Sequence, residues 1–362
     1  MYKRITVKIG SNVLADANGG IDLQRLGHLV HQMAELHRHG IEVILVSSGS
    51  ILTGRSELRL AKHLDVVSSR QVYSAVGQAK LIGRYYELFL AEGIHCGQVL
   101  TTKESFETRS HYLNQKNCIT QMLAEGIVPV VNENDTISLT ELMFTDNDEL
   151  SGLMASMMNV DALVILSNID GIYDGNPSDP STQVIRKIGR GKSISQYIQE
   201  TKSKFGRGGM SSKAGTAQKV ADEGIEVIIA NGKRNDILTD LILEEKDVLC
   251  TRFEPAEKES SNVKKWIAHS EGFAKGELRI SPKAVEAITA ADVARSLLPI
   301  GVVSVTGEFE KNDIVRICDE DGNYIGVGLS RYDSRKIRQL AGKKGEKPVV
   351  HYDYMFISDT NH

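Results

Sequence analysis

Neither sign of charge dominates this 362-residue chain: 43 lysines and arginines stand against 47 aspartates and glutamates, for a formal net charge of -4. No chain-wide basic field therefore points to nucleic acid. Cysteine is scarce. Cys96, Cys118, Cys250 and Cys318 lie far apart and form no CxxC pair, which argues against a metal knuckle or disulfide scaffold and fits a reducing cytoplasm. No apolar run reaches about 18 residues, so a membrane-spanning helix is not supported. The N-terminus enters a strand at once, with no long apolar signal segment. The 10 histidines are scattered and lack metal-ligand spacing such as HExxH. Also missing are a Walker A loop and a glycine fingerprint running out of a buried strand. Gly191-Lys192-Ser193 imitates the end of a Walker A, but the first glycine and the preceding strand are absent.

What is present alternates. Short β-branched runs at 4–9, 41–46, 95–100, 127–131, 162–166 and 225–229 read as buried strands. Amphipathic stretches at 23–39, 71–91, 109–125, 146–159 and 211–223 read as helices, the first capped by Asp22. The alternation predicts an α/β fold, a three-layer sandwich with a largely parallel central sheet covered on both faces by helices. The glycines and prolines between Asn168 and Phe205 predict an excursion with a short helix near 194–199. Past Cys250 the periodicity changes. A polar linker at 253–273, in which 262–269 can still be helical, leads to short elements at 277–280, 282–290, 302–306, 313–318 and 324–329. Together these predict a small β-barrel-like module of roughly 80 residues.

Polar groups gather where the strands end. Lys8-Ile9-Gly10-Ser11 sets a point charge able to follow a phosphoryl group beside a glycine, although a partly exposed lysine at a domain edge is the plainer reading. Val46-Ser47-Ser48-Gly49-Ser50 offers free amides after a buried strand, as an anion nest or as a simple turn. In Asn132-Glu133-Asn134-Asp135, four amide and carboxylate side chains in a row are costly to order without a partner. Asp135 and Asn132 suit the ammonium of a free amino acid. Asp146-Asn147-Asp148-Glu149 precedes a helix, where caps are ordinary but need not occupy all four positions. Gly206-Arg207-Gly208-Gly209-Met210-Ser211-Ser212-Lys213 runs three glycines into a helix, with Lys213 in its first turn, a pattern suited to phosphates.

These stretches occur in this order with Gln78-Ala79-Lys80-Leu81 and Gly171-Ile172-Tyr173. Toward the C-terminus come Leu297-Leu298-Pro299-Ile300-Gly301, Val305-Thr306-Gly307 and Gly328-Leu329-Ser330-Arg331-Tyr332. Across nearly its whole length the chain thereby resembles the glutamate 5-kinase family, of the amino-acid kinase fold with a C-terminal PUA domain. The resemblance implies a kinase domain at 1–252 and a PUA domain at 274–356. It implies transfer of the γ-phosphoryl of ATP, with Mg²⁺, to the γ-carboxylate of L-glutamate. The product would pass to a glutamyl phosphate reductase on the route to proline, with proline as feedback inhibitor of a homo-oligomer. Matched by motif, Lys8 and Lys213 contact the ATP phosphates, and Asp148 orients these lysines. Ser48, Asp135 and Asn147 bind glutamate. Ser167 and Asn168, with Arg207, Gly208, Gly209, Met210, Ser211, Ser212 and Lys213, line the nucleotide. Two departures concern the nucleotide: Ser167-Asn168 stands where the family usually has Thr-Asp, and Arg207 stands where it usually has threonine.

Related kinases of N-acetylglutamate or aspartate are the nearest rivals, and a non-enzymatic RNA-binding regulator is a more distant one. Residues 274–344 hold twelve basic against ten acidic side chains, with Arg335, Lys336, Arg338, Lys343 and Lys344 clustered and only Tyr324 and Tyr332 nearby. A solvated or assembly-supporting face is favoured there over an RNA surface. A carboxylate acceptor is already ionised at neutral pH, so no catalytic histidine is expected.

Overall fold

The computed structural model of the chain describes residues 2–59, 64–107, 109–137, 146–175, 179, 181–190, 194, 210–257, 267, 273–290 and 295–357. Its contacts divide it into two units, Met1–Glu259 and Ser260–His362.

In chain order the first unit contains β1 (Arg4–Ile9), α1 (Ser11–Leu14), α2 (Leu23–Arg38), β2 (Glu42–Ser47), α3 (Ser50–Glu57) and α4 (Val66–Ala91). Then come β3 (Cys96–Thr101), α5 (Glu104–Glu107), α6 (Arg109–Ala124), β4 (Val128–Glu133), α7 (Asn147–Met158) and β5 (Ala162–Ser167). It continues with β6 (Lys187–Ile188), α8 (Met210–Asp222), β7 (Glu226–Asn231), α9 (Ile237–Ile242) and β8 (Cys250–Phe253). The eight strands form one sheet in the order β3-β4-β2-β1-β5-β7-β8-β6. Every neighbouring pair is parallel except β7 with β8. The C-terminal ends of β1, β2, β4 and β5 therefore share one edge, where ligands of such sheets collect.

Strand periodicity decides which side chain faces which layer. Ile5, Val7 and Ile9 of β1 join Val43, Leu45, Val164 and Leu166 in the core that also takes Leu26, Val30 and Met33 of α2. Thr6 and Lys8 alternate with them and belong to the opposite face, onto which α7 packs. Asp22 caps α2 by accepting from the Arg25 amide at 2.9 Å, as its position before the apolar stripe predicts.

The structure differs from the sequence expectation where tertiary contact outweighs pattern. α3 has no helical apolar repeat in Ser50–Glu57, and it exists by lying directly on α4. A Cβ on Gly54 would sit 1.9 Å from the Tyr73 carbonyl oxygen, and one on Gly77 would sit 1.8 Å from that of Ser50. Only hydrogen fits between the two helices. α4 begins at Val66 instead of Gln71 because Asp65 accepts from the amides of Val67 and Ser68, both at 2.9 Å. Phe253, assigned from its polar neighbours to a linker, is the buried last residue of β8. The helix expected at 194–199 lies outside the described residues apart from Ile194, as does the 262–269 segment apart from Ile267.

The second unit contains β9 (Gly276–Ile280), α10 (Pro282–Thr289), β10 (Val302–Gly307), β11 (Ile314–Cys318), β12 (Tyr324–Leu329), α11 (Ser334–Leu340) and β13 (Met355–Ile357). Its strands run β10-β9-β11-β12-β13 in one sheet. Leu278, Ile280, Val315, Ile317 and Ile325 line one interior with Ile288 and Ile337. α11 and β13 were not expected, because α11 is short and mostly polar and β13 is only three residues long, so neither shows a period.

Candidate active site

Two poles and a polar bridge occupy the shared strand edge. The first pole is a shared carboxylate. Asp148, in the first turn of α7, is fully buried and lies 2.5 Å from Lys8 Nζ through Oδ1 and 2.5 Å from Lys213 Nζ through Oδ2. Lys8 is 4% exposed, so it is a buried ion-pair partner and not the edge lysine of the plainer reading. Lys213 comes from the first turn of α8. That helix approaches α7 closely because position 152 is glycine, where a Cβ would meet Thr216 Cγ2 at 2.8 Å. Burial pushes the Asp148 carboxyl up, but the Lys8 and Lys213 charges together prevail and hold it below its ordinary value. Lys8 is held below the ordinary lysine value, first by burial and also by the Lys213 charge, with Asp148 opposing both. Asp148 thus holds two ammonium groups on one carboxylate, with the Asp146 carboxylate close enough to act on Lys8 and on Lys213.

Asp146 ties the two helices together. Its Oδ1 accepts from the amides of Asp148 and Glu149 at 3.0 Å, capping α7, and its Oδ2 accepts from Ser212 Oγ at 3.0 Å. Burial, then the neighbouring Asp148 charge, raises the Asp146 pKa. The N-terminal turns of α7 and α8 thus meet beside the lysines, and the positive ends of the two helix dipoles add to the attraction for an anion.

The bridge is a chain of amides. Asn147 Nδ2 donates to Ser48 Oγ at 2.9 Å and to Asn132 Oδ1 at 3.0 Å, and Asn132 Nδ2 donates to Gln78 Oε1 at 2.8 Å. Ser48 is carried on the turn after β2, where Gly49 has φ 115° and opens α3. That backbone region suits glycine.

The second pole is Asp135, which is 6% exposed. Its Oδ2 accepts from Ser74 Oγ at 3.1 Å and Ser50 Oγ at 3.3 Å, and its Oδ1 accepts from Arg70 Nε at 3.1 Å and Nη2 at 2.7 Å. Arg70 and Ser74 were not expected, and Ser50 was legible only as the end of the turn after β2. Ser50 and Ser74 meet because α3 and α4 touch backbone to backbone, and Arg70 joins them one turn before Ser74. Gln78 was legible only as part of a quoted tetrapeptide.

Among the residues expected to line a nucleotide, Ser167 is buried at the end of β5, where its carbonyl accepts from the Gly232 amide at 2.8 Å, and Asn168 beside it is exposed. Met210 and Ser211 are the first residues of α8. Arg207, Gly208 and Gly209 lie outside the described residues.

The model of the "Amino acid kinase family" matches residues 3–231, and that of the "PUA domain" matches residues 276–352. Over 356 residues the chain is 62% identical to the glutamate 5-kinase of Bacteroides thetaiotaomicron, spanning 98% of this chain and 99% of that one. The chain belongs to the glutamate 5-kinase family, within the amino acid kinases. A more distant glutamate 5-kinase, from Chlorobaculum tepidum, is 46% identical over 99% of this chain and 98% of its own. The first unit of this glutamate 5-kinase family member also shares its fold with carbamate kinase from Giardia lamblia bound to AMP-PNP. That match has a TM-score of 0.51 and 17% identity, covering 70% of this chain and 99% of that one.

Proposed function

We propose that this chain transfers the γ-phosphoryl group of ATP to the side-chain carboxylate of L-glutamate, giving L-glutamyl 5-phosphate, the first step toward proline. The observation that carries the reading is the buried Asp148 carboxylate holding Lys8 and Lys213 on its two oxygens. It is supported by the polar bridge of Ser48, Asn147, Asn132 and Gln78 and by the buried Asp135 at the same strand edge. The family membership and the names of the relatives agree with it.

The chemistry needs no general base. A glutamate side chain with a reference pKa of about 4.3 is ionised at neutral pH. One of its oxygens attacks the γ-phosphorus, a new C–O–P linkage forms, the bond from that phosphorus to the bridging oxygen breaks, and ADP leaves with the electron pair. No proton moves. The work left to the protein is to bring two anions together and to balance charge on the transferring group. Lys8 and Lys213 supply that charge from the two oxygens of Asp148, which positions them, and the dipoles of α7 and α8 supplement it. The Ser48–Asn147–Asn132 bridge spans the amino-acid backbone, while Asp135 takes the ammonium. Ser167, Asn168 and the segment from Arg207 to Ser212 belong to the nucleotide in this reading.

The donor set fits an Mg²⁺ carried on the nucleotide phosphates. Both Asp148 oxygens face lysines, and both Asp146 oxygens already accept hydrogen bonds. Such an ion neutralises phosphate charge. The acyl phosphate product is reactive toward water, which suits prompt delivery to a reductase. Proline feedback, a homo-oligomeric state and action in a reducing cytoplasm, in keeping with four free cysteines, complete the proposal. RNA binding by the C-terminal unit is disfavoured.

The test is to trap the product as its hydroxamate with purified protein, ATP, Mg²⁺ and glutamate, with and without proline. N-acetylglutamate and aspartate serve as competing acceptors. Hydroxamate formed from either of these and not from glutamate would overturn the assignment.

A further inference from the structure

The pole around Asp135 has a charge pattern that the bridge does not explain. A free amino acid brings two opposite charges on one carbon, and Asp135 answers only the ammonium. The neighbouring α-carboxylate would meet the bridge amides and Gln78, none of them charged, while the cations of the first pole are committed to the phosphoryl end. The loop that follows Asp135 contributes no cation, since residues 136–146 contain no lysine, arginine or histidine. Arg70 is at this pole. Its guanidinium reaches Asp135 Oδ1 with Nε and Nη2, leaving Asp135 Oδ2 to the two serines. Nη2 also lies 3.8 Å from Glu133. The Arg70 side chain is 27% exposed, so it is open on one side while Asp135 is closed in.

We infer that Arg70 is the receptor for the α-carboxylate of the amino-acid substrate, forming with Asp135 a fixed pair of opposite charges that reads the zwitterionic carbon. This deepens the proposed function and rests on glutamate being the acceptor. The physical reasons are three. A guanidinium has five donors in a planar fork, and two of them on Asp135 leave others for a second carboxylate. Pairing with Asp135 locks the fork, so little rotamer entropy remains to be lost when substrate binds. The complementary pair also rejects ligands carrying one charge, because each such ligand leaves a partly buried group unanswered.

The experiment measures the KM for glutamate and the inhibition constants of two truncated analogues in wild type, Arg70→Gln and Asp135→Asn. γ-Aminobutyrate is glutamate without its α-carboxylate, and glutarate is glutamate without its ammonium. For Arg70→Gln the expected result is a glutamate KM raised about 10-fold or more, with kcat changed far less, since a charge-assisted pair is lost on binding. The γ-aminobutyrate constant should stay within about twofold, because that ligand never used Arg70. Asp135→Asn should do the reverse, weakening glutamate and γ-aminobutyrate while sparing glutarate. Arg70→Lys, which keeps the charge without the fork, should recover part of the glutamate affinity, and an unchanged KM for ATP reports an intact fold. Should Arg70→Gln weaken γ-aminobutyrate as much as glutamate, Arg70 merely positions Asp135 and the inference is overturned. A lowered glutamate KM would likewise overturn it, showing Arg70 to be a plug that substrate must displace. Wild type inactive with glutamate would instead overturn the proposed function, which separates the two failures.

Discussion

The α-carbon of Gly77 in α4 rests against the carbonyl of Ser50 in α3 so closely that a Cβ there would stand 1.8 Å from the oxygen. This contact sets the distance between two helices that carry one half of the candidate amino-acid site. Ser50 on α3 and Ser74 on α4 converge on the same Asp135 oxygen only because the backbones touch.

A methyl group at this crossing should therefore affect both stability and substrate binding. Gly77→Ala is expected to cost about 1–3 kcal/mol through overpacking and to raise the KM for glutamate more than that for ATP. Urea unfolding and steady-state kinetics check the two effects. A variant with wild-type stability would show that α3 moves aside freely.

Removal of either lysine at the other pole should act on the transition state. Lys8→Ala or Lys213→Ala is expected to lower kcat by about 10²-fold or more, the scale for loss of one preorganised donor. Rates within about twofold of wild type would refute the role assigned to that lysine.

The rate should also carry an alkaline limb from Lys8. Its ammonium is held below the ordinary 10.5 by burial and by Lys213. It must be charged to face phosphate, so kcat should fall as pH rises through that lowered value. In Lys213→Ala, with one repelling charge gone, the limb should move to higher pH. An identical limb in both proteins would assign it to another group.

Asp148 predicts the opposite end of the pH scale. Its folded pKa lies below the ordinary 3.8, so its contribution to stability is complete above that value and is lost as pH falls through the lower folded one. Asp148→Asn, which leaves two ammonium groups around a neutral amide, is expected to cost about 3–5 kcal/mol at neutral pH and to flatten the acid side of the stability profile. Parallel acid profiles for variant and wild type would argue against the shared ion pair.

Much of the candidate site was legible because its parts stand in a fixed relation to a parallel sheet. Lys8, Ser48, Asn132, Asp135 and Ser167 each lie on or just after a short buried run. In a sheet whose central strands are parallel, every such run ends at the same edge. Alternation along β1 also marks Lys8 as facing away from Ile5, Val7 and Ile9. Asn147 and Asp148 announce themselves through the cap at Asp146.

The partners of Asp135 at the second pole were hidden for a physical reason. Arg70 is 65 positions from Asp135, and an arginine in the first turns of an amphipathic helix looks like any solvated charge. Gly54 and Gly77 weaken their own helices by propensity, and their purpose is visible only where two backbones meet. α3 and β8 follow the same rule, since each is held by its neighbours.

The order and spacing of residues thus determined the α/β class, the shared strand edge and most of the groups placed along it, because local periodicity and parallel pairing act over short stretches of chain. Tertiary structure alone decided that two ammonium groups divide one carboxylate, and that an arginine and two serines close around another. Those contacts join side chains whose separation along the chain carries no repeating signal.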